Sequence, residues 1–507
     1  MSTLQLDIVA PASTRRHRPR PPLAAAVLLA SLLVSIPCFW QPRIQAGDLS
    51  SHVYNAWLAQ LIERGQAPGL RLARQSSNIL FDLLLSGLLR TVGPGPAQRI
   101  AVCSAVLVFF WGAFAFVWSS SRQRPRRPPW SLAPCLAMLA YGWVYHMGLF
   151  NFYISLGLCF AALALGTRRG RWAAAAIPLL ALAWVAHAVP VAWAAALLAY
   201  FWMARALAPR YRLYLCAAAL AGLGAVALFL YAHLESRWSA GQFMGLTGAD
   251  QVWVFGVHYI PLAVALLAVW LWWFQRILDT RGAGRTVLDI RFQLCLLCAA
   301  CVVLIPGVVL LPGMRHTLNA IAERMSLATG VMFCGLAASL RPRRGEIAAL
   351  AVIAALFFGF LYADERALNQ VETRMAGLVA RIPPGQRVVS GLADPNSRVN
   401  SMAHLVDRAC LGRCFSYANY EPSTAQFRVR AERANPIVVW DYAQSWGMQA
   451  GGYVVQPRDL PLYAIDLCHP TGSALCIAPL AAGVRLRNTW MCVGPVFGKW
   501  DKRHDWR

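Results

Sequence analysis

Apolar runs of about 17 to 25 residues recur from Leu23 to Tyr362, with arginine clusters between them, and that is the length a helix needs to cross a hydrocarbon core. No other feature restricts the fold as much. Only 14% of the 507 residues are charged, against roughly 25% in a soluble domain. The hydrophobic share of 58% also excludes a disordered chain. A formal charge of +25 would suggest nucleic acid if the protein were soluble. Residues 1–362, however, hold 30 Arg and 10 acids, and these arginines sit in short clusters. That is the positive-inside pattern of a polytopic membrane protein, and no nucleic-acid partner is expected.

The clusters are Arg15–Arg20, Arg122–Arg127, Arg168–Arg171, Arg205–Arg212, Arg276–Arg291 and Arg341–Arg344. If all face the cytoplasm, an even number of spans separates neighbouring clusters. The runs 23–40, 99–118, 131–146, 149–166, 172–187, 189–204, 211–232, 253–274, 292–311, 320–339 and 346–362 satisfy this, giving about eleven transmembrane helices. Residues 1–22 become a basic cytoplasmic terminus, 23–362 the membrane domain and 363–507 a periplasmic soluble domain. Phe39, Trp40 and Gln41 replace the small residues of a cleavage site, so 23–40 reads as an uncleaved span. The apolar stretch Asn78–Thr91 is too short to cross and contains Asp82, so it reads as a helix lying at the outer surface or dipping into the membrane.

With this topology the polar residues capable of chemistry collect on the outer face. The first outer loop, 41–98, contains "GDLSSHVYNAWLA", a helix pattern in which Asp48 and His52, four apart, share a face. An Asp before a helix is also a common N-cap, a role that would occupy its carboxylate with backbone amides. Between later spans lie His187 before Pro190, then Arg315, His316, Glu323 and Arg324. An ionised group such as Arg324 is costly inside a span unless partnered, so an ion pair with Glu323, snorkelling to the interface or a functional role explains it. Cys295, Cys298 and Cys301 lie in an apolar run without His or carboxylate to complete a zinc set.

An acidic residue directly after the first span, surface helices and then a many-span core resemble the GT-C superfamily of membrane glycosyltransferases, which includes aminoarabinose transferases and protein O-mannosyltransferases. The likeness rests on "GDLSSHVYNAWLA", "NILFDLLLSGLLRTVG", "AQRIAVCSAVLVFFWGAFAF", "MGLFNFYISLGLCFAALAL" and "VAHAVPVAWAAALLAY", within the first 210 residues. It implies a transferase of the bacterial inner membrane that uses a polyprenyl-phosphate sugar at the periplasmic face. The acceptor would be a lipid, glycan or protein hydroxyl. Asp48 then stands where the family keeps its catalytic acid. The family often has a second acid in this loop; here Leu49 and Ser50 follow, and His52 is the next polar candidate, which leaves use of a divalent metal open. A carboxylate would take the acceptor proton, and cations would receive the leaving phosphate. Arg71, Arg74, Arg315, His316 and Arg324 are the candidate phosphate ligands, with Asn78 and His187 as further substrate contacts. A lipid-linked glycan polymerase or ligase would share such a donor. A transporter or scaffold is the reading from a different class.

Beyond Ala363 the chain reads as a soluble α/β or α+β module. Thr373–Ile382 is an expected helix; "QRVVSGL", "PIVVW" and "GGYVV" are expected strands. Cys410–Cys414 and Cys468–Cys476 are the simplest disulfide pairs, leaving Cys492. The segment "ACLGRCFSYANYEPSTAQFRVRA" carries aromatic and Arg residues suited to a glycan or to an ordinary folded surface.

Overall fold

The computed structural model describes residues 23–121, 128–239, 241–313, 317–394, 402–469 and 472–491. Arg315, His316, Cys492 and the clusters Arg15–Arg20 and Arg122–Arg127 lie outside the described residues. The molecule is mostly helical, and its apolar runs become helices. Pro94–Ser120, Ala188–Ala206, Pro209–His233, Val257–Arg281 and Arg344–Val379 are each long and apolar enough to cross a membrane. Shorter apolar helices cover Leu23–Cys38, Phe150–Gly166, Arg171–Ala186 and Ile290–Leu304. Large apolar side chains on the bundle's outside stay uncovered, among them Leu228 at 69%, Leu271 at 68% and Ile177 at 68% exposure. Apolar surface of this extent, on helices long enough to cross a bilayer, suggests a membrane protein.

Two expectations about the spans are corrected. The run 131–146 is not one helix: Ala133–Ala140 and Trp143–His146 are separated by a bend at Tyr141 and Gly142. Gly248, at φ +74°, permits close packing here, because a Cβ on it would clash with the Met138 carbonyl group. The runs 346–362 and 373–382 are instead a single helix, Arg344–Val379, of 36 residues. At 1.5 Å per residue it is about 54 Å long, well beyond a ~30 Å hydrocarbon core. Its far half buries Asp364, Glu365, Asn369 and Glu372. The sequence texture changes there because the helix passes from lipid to protein partners, without a break in the backbone.

These acids are all engaged. Asp364 accepts from Tyr259 Oη at 2.8 Å and pairs with His258 Nε2 at 3.0 Å. Glu365 accepts from Trp40 Nε1 at 2.7 Å. Glu372 holds Arg408 by two hydrogen bonds of 2.6 Å and accepts from Gln45 Nε2 at 2.8 Å. Arg408 also donates to the Ile44 carbonyl and to Gln98 Oε1. The chain after residue 362 is therefore fastened to the first loop. It also shares a hydrophobic core with it, in which Tyr54 and Leu58 pack with Met375, Val406 and Val438.

In this last region a mixed four-stranded sheet forms from Phe415–Ser416, Arg387–Ser390, Leu462–Leu467 and Leu475–Pro479, in that spatial order. Arg387–Ser390 lies parallel to both its neighbours, and the last pair is antiparallel. "QRVVSGL" thus contains the expected strand. "PIVVW" does not form one, because Asn435 Oδ1 captures the amides of Ile437 and Val438 and closes a turn. "GGYVV" forms no strand; it exchanges backbone hydrogen bonds with residues 483–486 around the isolated bridge Val454–Arg485. Both disulfides form as paired above, Cys410–Cys414 and Cys468–Cys476.

Candidate functional site

The first-loop helix is Leu49–Glu63, and Asp48 stands at its N-cap. Its placement is set by the backbone. Gly47 N–H donates to the His146 carbonyl at 2.7 Å and Asp48 N–H to that of Met147 at 3.0 Å. The turn receiving them contains Gly148, at φ +80°, where a Cβ would lie 2.5 Å from the Asp48 nitrogen. Only glycine allows this approach without strain. The Asp48 side chain makes no capping hydrogen bond. Its carboxylate, with 23% of the side chain exposed, is therefore not spent on the helix and faces a cavity of about 330 Å³.

Behind Asp48 stands a residue that sequence reasoning missed. His404 Nε2 lies 3.8 Å from Asp48 Oδ1, and its Nδ1 is 3.1 Å from Asp407 Oδ2. Ser416 Oγ donates to the other oxygen of Asp407. Burial disfavours the charged imidazole, but the hydrogen bond and charge of Asp407, with Asp48 and Glu421 nearby, raise the His404 pKa. The result is a carboxylate, imidazole, carboxylate chain that runs from Asp407 through His404 to the back of Asp48. The one sequence signal for it was the i, i+3 spacing of His404 and Asp407 at a helix start.

His52 is in the same cavity wall but serves a second cluster. Its Nδ1 is 2.7 Å from Asp82 Oδ1 and 4.0 Å from Glu421 Oε1. Burial opposes its charge, yet Asp82, Glu421 and Asp48 push its pKa up to about 10. Burial in turn pushes the Glu421 carboxyl up to about 7, although the His52 charge lowers it. Asp82 comes from the amphipathic helix Leu80–Val92, whose 13 residues bury Phe81, Leu85, Ser86 and Leu89 on one side. At about 20 Å this helix is too short to cross a bilayer. Asn151 fixes its start, accepting from Phe81 N–H and donating to Asp82 Oδ2, both at 2.8 Å. The geometry makes His52 a buried link between two carboxylates, which positions the helix carrying Asp48.

Across the cavity is Arg324. It has no ion pair with Glu323, which turns away to accept from Ser239 Oγ. The Arg324 guanidinium carbon lies 5.9 Å from the centre of the Phe152 ring, and its buried Nε has no hydrogen-bond partner among the described residues. His187 also lines the cavity; it interrupts two helices, accepts from Val189 N–H at 3.2 Å and meets the Phe152 ring edge-on. Asn78, in the left-handed region at φ +58°, completes this side. Arg71 and Arg74 do not join the site. Arg71 is exposed on a short strand, Leu70–Leu72, paired with Val429–Ala431, and Arg74 is exposed just beyond it. Arg315 and His316 precede Thr317–Ile321, which line the cavity, but they themselves lie outside the described residues.

The C-terminal region supplies the remaining wall: Tyr420, Gln426, Phe427, Tyr442, Trp446 and Gln449. Tyr442, Trp446 and Gln449 recur at helical spacing on Tyr442–Ala450, which Asp441 caps by accepting from Gln444 N–H at 3.0 Å. Trp446 is 61% exposed. Among the described residues no three His, Cys, Asp or Glu side chains converge as a metal set. The arrangement offers a carboxylate to take a proton, a guanidinium opposite to receive an anion, and aromatic rings with amides between them. No family model, curated protein or solved structure matches this chain.

Proposed function

We propose that this protein is a glycosyltransferase of the bacterial inner membrane that moves a sugar from a polyprenyl-phosphate donor to a lipid, glycan or protein hydroxyl at the periplasmic face. The observation that carries the reading is Asp48: a carboxylate at a helix N-cap that makes no cap, held from behind by His404 and open to a cavity shared with the buried Arg324. In the reaction the acceptor oxygen forms a bond to the anomeric carbon as the bond to the lipid phosphate oxygen breaks. Asp48 takes the acceptor proton. The departing phosphate gathers charge that Arg324 offsets across the cavity. Tyr420, Phe427 and Trp446 suit the apolar faces of a sugar ring, while Gln426, Gln449 and Asn78 suit its hydroxyls. Eleven crossings, with the region after residue 362 in the periplasm as a soluble domain, belong to the same reading.

The test uses the full-length protein in detergent with a panel of radiolabelled polyprenyl-phosphate sugars and an envelope extract as acceptor. Wild type transfers label from one donor, and D48N loses at least a hundredfold while eluting as a folded monodisperse species. Full turnover by D48N overturns the assignment. Transfer only from donors bearing several sugars would make the protein a glycan ligase or polymerase.

A further inference from the structure

We propose a second site, for a phosphate-bearing anion, at the end of the helix bundle remote from Asp48. It is independent of the chemistry assigned to Asp48. Three helices connect the two ends. Phe150–Gly166, Ala188–Ala206 and Ile321–Ala337 give their first turns to the Asp48 cavity through Asn151, Val189 and Arg324. Their far ends, through Arg168 just past the first helix and through Arg205 and Gly335 in the last turns of the other two, line another cavity of about 190 Å³. At 1.5 Å per residue, helices of 17 to 19 residues separate the two cavities by about 25 to 29 Å. That is close to the ~30 Å hydrocarbon thickness, so the cavities stand at opposite boundaries of the membrane.

The composition of this second cavity is one-sided. Arg168, Arg205 and Arg291 reach it from three different helix ends, Ser119, Ser120 and Thr167 add hydroxyls, and no carboxylate is among the described residues that line it. The nearest acid in sequence, Asp289, is turned to Arg281 Nη1 at 3.2 Å and to the Arg291 backbone amide. Helix ends provide the main competing explanation, because arginines also offset carbonyl dipoles; Arg205 Nη1 donates to the Thr167 carbonyl at 3.4 Å. Among the described residues no carboxylate pairs with Arg168 or Arg205, and both are exposed at this cavity, so guanidinium N–H groups beyond that one carbonyl contact can meet an anion. Guanidinium forks with hydroxyls beside them match phosphate oxygens. The depth at one leaflet boundary points to a lipid headgroup as the source, because basic pockets between helices at this level bind such groups.

Native mass spectrometry of the detergent-purified full-length protein, titrated with phosphatidic acid and with phosphatidylcholine, tests this. Wild type is expected to hold one phosphatidic acid at least tenfold more tightly than phosphatidylcholine. R168Q/R205Q is expected to lose that preference, and R168K/R205K replaces it as the probe if the Gln pair does not elute monodisperse. S120F fills the cavity without removing charge and is also expected to abolish the preference, whereas R210Q, outside the cavity, keeps it. Inorganic pyrophosphate that binds where phosphatidic acid does not assigns the same site to a soluble anion. Retained preference in R168Q/R205Q or in S120F, or binding of neither ligand by wild type, overturns the proposal.

Discussion

Replacing Arg408 with Met tests whether the region after residue 362 is fastened to the first loop as described. Arg408 and Glu372 are buried, with 6% and 1% of their side chains exposed. The substitution removes two hydrogen bonds to Glu372, one to the Ile44 carbonyl and one to Gln98 Oε1. Counting each at about 1.5 to 3 kcal/mol would overstate the loss, because both ions were desolvated to make them. Breaking one side of a buried pair costs about 3 to 5 kcal/mol. Glu372 keeps Gln45 at 2.8 Å and has Arg43 at 3.5 Å, which places the cost at the lower end. About 3 kcal/mol corresponds to roughly two orders of magnitude in the opening equilibrium. Amide hydrogen exchange over residues 402–424 reads that equilibrium directly. The E372M/R408M pair leaves no orphaned charge and is expected to recover most of the loss. Exchange in R408M within threefold of wild type, or a double variant as costly as both single changes together, would refute the reasoning.

Three further outcomes follow from the same geometry. Because the Asp48 carboxylate makes no capping bond, D48N should leave the melting temperature within a few degrees of wild type, as scanned in detergent, while activity falls. The folded pKa of His52, about 10, lies above its ordinary 6.5, so its contribution is complete below about pH 6.5 and is lost as pH rises toward 10; H52Q should flatten the fall in melting temperature between pH 7 and 10. G148A forces a Cβ to 2.5 Å from the Asp48 nitrogen at a positive φ; it should lower transfer at least tenfold while the detergent-solubilised protein still elutes as a folded species.

Part of the helix layout was legible because long apolar runs become helices, five of them long and apolar enough to cross a membrane. The breaks at Gly142 and the continuity of Arg344–Val379 were not legible. The first depends on the close approach of Gly248 from a distant loop, the second on which residues face lipid and which face protein. Asp48, His52, His187 and Arg324 were named from local pattern and Asn78 with the family resemblance, and all five line one cavity. Arg71 and Arg74 shared the loop and the charge but were drawn to a surface strand by pairing with Val429–Ala431. That partner lies some 350 residues away, beyond the reach of local spacing.

The same distance explains why His404 was invisible. Asp48 carries a signal of its own, an acid after a first span, yet its environment is assembled by a carboxylate–guanidinium clamp between residues 372 and 408. The clamp holds the segment in which His404 lies close enough to face Asp48 at 3.8 Å. Weakening the clamp should therefore reach the site without touching it. If R408M opens the 402–424 segment, the arm from His404 to Asp407 leaves with it, and transfer should fall in proportion to the closed fraction. An R408M protein whose 402–424 amides exchange at the unprotected rate, so that the segment is mostly open, yet transfers at the wild-type rate would show that Asp48 does not need His404 behind it.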